Sequence, residues 1–394
     1  MATKGTIGIL TGGGDVPGLN PAIRAITIRA LREGYRVVGI RRGWAGLVDY
    51  DRSHGADNSE HIQDLDEADV NRAGRTGGTF LHSSRTRPSH LPKGRVPAHY
   101  SGYDNEVNDI TAEVLRNLEH IGIDVLVPIG GDDTLSYGKR LHDEGMKVVA
   151  IPKTMDNDVY GTDYCIGFST CVTRTLELTH SLRTSAGSHE RFLVIEVFGR
   201  YAGFTALLPT MGGAADRCII PEYPADLEHL TELMVFDHNR NPSKYSVVLV
   251  SEGATLTGQA MSFESEETDM FGHKKLGGIG DKVAAGLKEL SAKYNNGRRI
   301  DVINQRLGYL VRSGDPDALD SIVPMAFGNL ALDLILNKEY GRLVSVHKGF
   351  YDNEPITSVT SEKKVVDVAK YYNTDRLRPI YNFDGAPLFI MTSG

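Results

Sequence analysis

The sequence predicts an α/β protein with mostly parallel sheets, divided into two domains. Three observations carry this. Apolar runs of strand length alternate with stretches of helical period. Each strand-like run ends in glycine or proline with polar groups beside it. The chain has 394 residues, room for between two and three domains at about 150 residues each. Strand, glycine turn, helix and strand in that order is the pattern of a parallel βαβ unit.

The first unit opens the chain. Residues 6–10 read as a strand, followed by Thr11-Gly12-Gly13-Gly14-Asp15-Val16-Pro17-Gly18. Asn20 is expected as the helix N-cap, with Pro21 at the first helical position. Ile23, Ile26 and Ala30 share one helical face, and Gly34 closes the helix before a strand at 36–40. The pattern recurs at 124–129, followed by Gly130-Gly131-Asp132-Asp133-Thr134 and a helix to Glu144 stopped by Gly145. A strand at 147–151 leads into Pro152-Lys153-Thr154-Met155-Asp156-Asn157-Asp158. Strands at 192–197 and 246–250 lead into Phe198-Gly199-Arg200 and Ser251-Glu252-Gly253. Ligands of open α/β sheets bind at the carboxyl ends of strands, so these turns are expected around one or two clefts. Residues 86–104, with Pro88, Pro92 and Pro97, read as a long loop. Residues 255–275 read as a polar excursion, and 350–376 as including a surface helix.

Composition narrows the function. The formal net charge is −8, with 40% hydrophobic and 24% charged residues, which excludes a disordered chain. That acidity gives no prior for nucleic acid. No uninterrupted apolar run approaches the ~20 residues of a membrane span. The start of the chain lacks a secretory pattern. Cys165, Cys171 and Cys218 cannot all pair and form no CxxC, so a reducing, cytoplasmic setting without a disulfide framework is expected. Glycine is in excess. Average usage of about 7% would give roughly 28, and the chain has 43.

Several turns carry chemistry. Gly12–Gly14 before a helix offers backbone N–H groups to an anion, although a tight turn without ligand has the same sequence. Pro17 replaces the third glycine of a dinucleotide fingerprint, which disfavours a nicotinamide-type oxidoreductase. Asp132 and Asp133 at a helix start would repel phosphate unless a cation intervenes. Magnesium fits, since it takes one or two carboxylates plus phosphate oxygens. Lys153 can neutralise phosphate, and Asp156 and Asp158 give one carboxylate for a proton and another for a metal. Phosphoryl transfer needs little else. Arg85, Arg191, Arg200, Arg306 and Arg312 beside these turns suit bidentate phosphate contacts.

Taken in order, these motifs resemble the 6-phosphofructokinase family. The matches run through Gly12–Asn20, Gly77–Arg85, Gly130–Thr134, Lys153–Asp158, Gly161–Gly167, Ser188–Arg191, Phe198–Gly203, Ser251–Glu252, Gly308–Arg312 and Asp315–Asp320. ATP-using members usually carry Gly-Gly-Asp-Gly and Gly-Thr-Ile-Asp-Asn-Asp. Here Gly-Gly-Asp-Asp and Lys-Thr-Met-Asp-Asn-Asp resemble the pyrophosphate-dependent branch. An aspartate at 133 projects charge where a nucleotide's α-phosphate would lie, and Lys153 compensates a compact diphosphate.

The resemblance implies a phosphofructokinase-like fold of two Rossmann-like three-layer domains with the active cleft between them. Chain order places the donor domain at 1–167 plus 312–362 and the sugar-phosphate domain at 168–311 plus 363–394. It implies Mg²⁺ as cofactor, with Asp132 and Asp158 as metal residues, and pyrophosphate and fructose 6-phosphate as substrates. Gly14, Arg85, Asp133 and Lys153 would form the donor site and set its specificity. Asp156 would take the proton, and Arg200 with Lys153 would neutralise the transferring group. Thr154, Met155, Phe198, Gly199 and Glu252 would line the substrate site, with Tyr309 and Arg312 on the 6-phosphate. Arg191 would reach in from a neighbouring subunit of a homodimer or homotetramer. A second such arginine is Arg306 or Arg299, because Ile303 holds its aligned place. The alternatives are an ATP-dependent or mixed-donor enzyme, and a noncatalytic sugar-phosphate-binding subunit. Intact Asp132, Lys153, Asp156 and Arg200 argue against the latter.

Overall fold

Thr6–Thr11 is buried along its whole length, as a strand covered on both faces must be. It forms the middle of the larger of two main sheets in the computed structural model, which describes residues 3–268 and 274–381. In chain order the strands are β1 (Thr6–Thr11), β2 (Arg36–Ile40), β3 (Ile62–Asp64), β4 (Leu91–Pro92), β5 (Val107–Asn108), β6 (Val125–Gly130), β7 (Lys147–Pro152), β8 (Phe192–Val197), β9 (Arg217–Ile219), β10 (Ser246–Ser251), β11 (Phe263–Thr268), β12 (Lys274–Leu276), β13 (Val302–Arg306), β14 (Arg342–His347), β15 (Phe350–Pro355), β16 (Tyr372–Asn373) and β17 (Arg378–Pro379). The helices are α1 (Leu19–Arg32), α2 (Trp44–Val48), α3 (Glu67–Ala73), α4 (Thr111–Ile121), α5 (Asp132–Asp143), α6 (Phe168–Ser188), α7 (Phe204–Met211), α8 (Leu227–Arg240), α9 (Ile279–Tyr294), α10 (Ala318–Leu336) and α11 (Val368–Tyr371).

The larger sheet has the order β15-β14-β7-β6-β1-β2-β3, and the smaller has the order β13-β8-β10-β9. All neighbours are parallel except the outer pairs β2–β3 and β14–β15. Alternation builds the layers. Ile7, Ile9, Val127 and Ile129 face a core shared with Ile23 of α1 and Phe327 of α10. Leu10, Leu126, Val148 and Ala150 face the opposite core with Val114 of α4 and Leu135 of α5. The first core runs on through Phe192, Val194 and Val248 of the smaller sheet. Burying apolar surface stabilises such layers by roughly 25 cal/mol per Å². The three cysteines are buried and unpaired.

Strand order fixes where ligands go. In the larger sheet the chain leaves β1 toward β2 and leaves β6 toward β7, so the order reverses between β1 and β6. In the smaller sheet it reverses between β8 and β13. Crevices form at such reversals, and the turns after all four strands carry the motifs noted above.

Some elements depart from the sequence reading. Gly18, at φ 110°, caps α1, and Asn20 lies inside the helix. Its buried amide is spent on the loop after α3. Asn20 Nδ2 donates to Thr76 O (3.2 Å), Thr76 Oγ1 (3.1 Å) and Gly77 O (3.2 Å), and its Oδ1 accepts from Phe80 N–H (3.0 Å). Asn20→Ala strips that loop of its anchor and orphans buried groups. It should destabilise the protein by about 2–3 kcal/mol in urea unfolding with an unchanged slope. A loss below about 0.5 kcal/mol would mean that water replaces the amide.

The 350–376 stretch opens on an antiparallel edge strand at 350–355 and continues through a 3₁₀ turn at 356–360 to α11, a helix of a single turn. Within 86–104 lie two short 3₁₀ turns and β4, and the 255–275 excursion contains the β11–β12 ribbon. α10 has the length and mean apolarity of a membrane span, although Asp320 and Asp333 interrupt it. Half of that span is buried inside the protein. Of the regions assigned to the second domain from sequence, 269–273 and 382–394 lie outside the described residues.

Candidate active site

The turns after β1 and β6 are locked together by Thr134, in the first turn of α5. A Cβ on Gly12 or on Gly130 would overlap the Thr134 side chain. Thr134 is 4% exposed. The two glycines therefore let one buried threonine draw the helix N-terminus against both strand ends. This leaves Gly13, Gly14 and Gly131 on the wall of a cavity of about 380 Å³.

The same cavity collects Arg85, Asp132, Asp133, Lys153, Thr154, Met155, Asp156 and Asp158 from the larger sheet. Phe198, Arg200, Glu252 and Arg312 reach it from the smaller sheet and the chain after it. It opens into a wider hollow of about 1310 Å³, where Arg306, Gly308 and Tyr309 join. Residues far apart in sequence thus share one cleft between the two sheets.

Each end is held by specific bonds. Lys153 is buried and its Nζ donates to the Gly14 carbonyl at 2.7 Å. Burial first, then the Arg312 and Arg85 charges, push its ammonium down to about 8. Asp133 Oδ2 pairs with Arg87 at 2.8 Å. The Asp156 N–H donates to Thr154 Oγ1, and Arg200 N–H donates to Asp156 Oδ2, each at 3.2 Å. Asn157 sits at φ 55° between the two aspartates. Its side chain bonds Asp163 O at 3.0 Å and accepts from Cys165 N–H at 2.8 Å, which fixes the turn from below.

The carboxylates are mutually coupled. Burial, then the Asp158 charge, raises Asp156 to about 7. Asp132 rises to about 7 for the same two reasons, in the same order. Glu252 rises to about 8 through burial and then Asp156. Asp132 Oδ1 is buried and has no hydrogen-bond partner. An orphaned, ionisable oxygen beside another carboxylate fits a divalent cation. No cluster of three acidic, histidine or cysteine side chains stands ready to enclose a metal among the described residues.

At the other end, the Arg312 guanidinium lies 5.2 Å from the Phe198 ring centroid and 5.7 Å from that of Tyr309. Arg306 is tied by its Nε to Glu196 Oε1 at 2.8 Å. Tyr309 is 72% exposed at the mouth.

Three sequence candidates stand outside the cavity wall. Gly199, at φ 116°, makes the turn beneath it, its carbonyl accepting from Gly253 N–H at 3.0 Å. Arg191 precedes β8, at the opposite end of the strand from Phe198. Arg299 precedes β13 on the same edge, where Phe192 N–H bonds Asp301 O. Two charged residues of the smaller cavity escaped the sequence reading. Arg87 lies two residues past Arg85 in the same loop, a proximity that could have marked it. Lys363 comes from beyond the last motif, and nothing local distinguishes it.

Comparison with known proteins identifies the family. The family model described as Phosphofructokinase matches residues 6–335. The chain is 35% identical over 368 residues to the pyrophosphate–fructose 6-phosphate 1-phosphotransferase of Amycolatopsis methanolica, covering 93% of this chain and 97% of that one. It is 33% identical over 366 residues to ATP-dependent 6-phosphofructokinase 3 of Streptomyces coelicolor, with the same coverage. A solved pyrophosphate-dependent phosphofructokinase from Marinobacter aquaeolei shares the fold at a TM-score of 0.71 and 17% identity, covering 99% of this chain and 92% of that one. The Saccharomyces cerevisiae phosphofructokinase aligns at a TM-score of 0.70 and 25% identity, over 91% of this chain and 45% of the yeast chain. Two α/β units around one shared cleft, and sequence matches along nearly its whole length, show that the chain belongs to the phosphofructokinase family.

Proposed function

We propose that the protein catalyses Mg²⁺-dependent, reversible transfer of a phosphoryl group from pyrophosphate to the 1-hydroxyl of fructose 6-phosphate. The products are fructose 1,6-bisphosphate and phosphate. The observation that carries the donor choice is the Asp133–Arg87 pair beside buried Lys153. It sets a charged, bonded side chain at the start of α5, where a nucleotide chain would continue, beside a buried lysine that can offset a compact diphosphate.

The residues divide the work. Asp156, steered by the Thr154 hydroxyl and the Arg200 N–H, takes the proton from the sugar 1-hydroxyl. Lys153, Arg85 and Arg200 neutralise the group in flight, with Gly14 giving it backbone access. Asp132 and Asp158 would hold Mg²⁺, which supplies charge neutralisation for the donor oxygens when bound. Met155, Phe198 and Glu252 shape the sugar pocket, and Tyr309 and Arg312 receive the 6-phosphate. The donor domain comprises 1–167 plus 312–362, and the sugar-phosphate domain 168–311 plus 363–394. Arg191, on the far edge of its own β8, serves the site of a neighbouring subunit in a homodimer or homotetramer.

A donor panel tests the reading. Purified protein with fructose 6-phosphate and Mg²⁺ should turn over pyrophosphate at least about tenfold more efficiently than ATP or polyphosphate, and EDTA should abolish turnover. Turnover with ATP far exceeding that with pyrophosphate would overturn the donor assignment.

A further inference from the structure

We propose that Lys363 is a phosphate-binding residue of the donor pocket, carried into it by the segment 361–367 that crosses between the two sheets. The proposal rests on the phosphoryl-transfer reading above.

Placement comes first. Lys363 lines the same cavity wall as Asp132, Lys153, Thr154 and Asp158, although it follows them by some two hundred residues. Its Nζ lies 3.7 Å from the centroid of the Tyr201 ring, and Tyr201 lines the cavity too. An ammonium on an aromatic face is oriented without being consumed by a carboxylate.

The crossing segment is not a loose tail. Lys364 turns the other way and is buried. Its Nζ donates to Thr162 O and Asp163 O at 2.8 Å each, and its backbone N–H bonds Asp158 O at 3.3 Å. Two residues on, Val366 N–H donates to Glu222 Oε1 at 2.7 Å. That oxygen also accepts Gly203 N–H at 2.9 Å, just past Arg200 and Tyr201. The segment is thus pinned to the Asp158 loop on one side and to the smaller sheet's first turn on the other. Lys363 immediately precedes these anchors.

Charge balance supplies the need. Asp132, Asp133, Asp156 and Asp158 all border the pocket that a multiply charged donor must enter. Lys153, which also donates to Gly14 O, faces the pocket with Arg85, Arg200 and Arg312 from its other walls. Arg87 is committed to Asp133. Lys363 adds a further cation to the same wall as Asp132 and Asp158. A lysine binds phosphate as a flexible point charge, and this one reaches the pocket from the side of the smaller sheet and the tail.

The test compares Lys363→Met, which keeps the stem and removes the charge, with Lys363→Arg. Steady-state kinetics use whichever of pyrophosphate or ATP turns over faster in wild type. A calorimetric titration with that donor in EDTA reads binding without turnover. Lys363→Met should raise the donor KM and dissociation constant about tenfold, leave the fructose 6-phosphate KM within about twofold, and be largely rescued by Lys363→Arg. A donor KM and affinity within about twofold of wild type would overturn the proposal, as would an equal rise in both substrates' KM. Because the readout follows the donor actually used, an error in donor identity shows in the wild-type panel and not in this comparison.

Discussion

Asp156→Asn is expected to lower kcat by roughly 10²-fold or more while leaving the fructose 6-phosphate KM nearly unchanged. The amide keeps the shape and can still accept the Arg200 N–H, but it cannot take a proton. The pH profile adds a second signature. Burial and the Asp158 charge raise Asp156 to about 7, so wild-type kcat/KM should rise with pH through that value. The variant should lose that limb. Stability should move the other way. A carboxyl whose folded pKa lies above its ordinary 3.8 stabilises the fold fully below that value and loses the contribution as pH rises through about 7. Removing the charge should therefore raise the melting temperature of Asp156→Asn above wild type at pH 8 in EDTA. At pH 4 the two should coincide. Equal activity of the two proteins would sink the base assignment, whatever the melting curves show.

The second large effect concerns the donor. Asp133→Gly combined with Lys153→Gly should shift the ratio of ATP to pyrophosphate kcat/KM toward ATP by about 10²-fold. Each change has its own physical part. Removing the Asp133 carboxylate breaks its pair with Arg87 and opens the start of α5. Removing Lys153 takes away the buried charge that offsets a compact diphosphate. The single variants should fall short of the double, because one leaves the obstruction and the other leaves the counter-charge. A donor panel on all four proteins measures this, and an unmoved ratio in the double variant would undermine the steric account.

Much of this was legible in the sequence because the signals were local. The turns after β1, β6, β7 and β8 combine an apolar run, a glycine or proline, and polar neighbours, so strand end and candidate site residue are read together. Asn20 was misread because a cap and a clamp look alike. Both are an Asn near a helix start, and only the partner loop at 76–80 distinguishes them. Residues 350–376 mix acidic and basic residues, a pattern that an exposed helix tolerates as readily as the exposed edge strand that the first six of them form. Lys363 was invisible for a different reason. Its place depends on Lys364 and Val366 bonding across the sheets, and no sequence period encodes such a crossing.

Thr134 bears on how this site can diverge. Its methyl and hydroxyl occupy the space that a side chain at either Gly12 or Gly130 would need. A lineage therefore cannot replace either glycine until position 134 has shrunk, and shrinking 134 first loosens two turns at once. The three positions are expected to be inherited as a block. A Gly12→Ala change that is inactive alone should regain activity in the background of Thr134→Gly, which is an order of events that ancestral reconstruction can read.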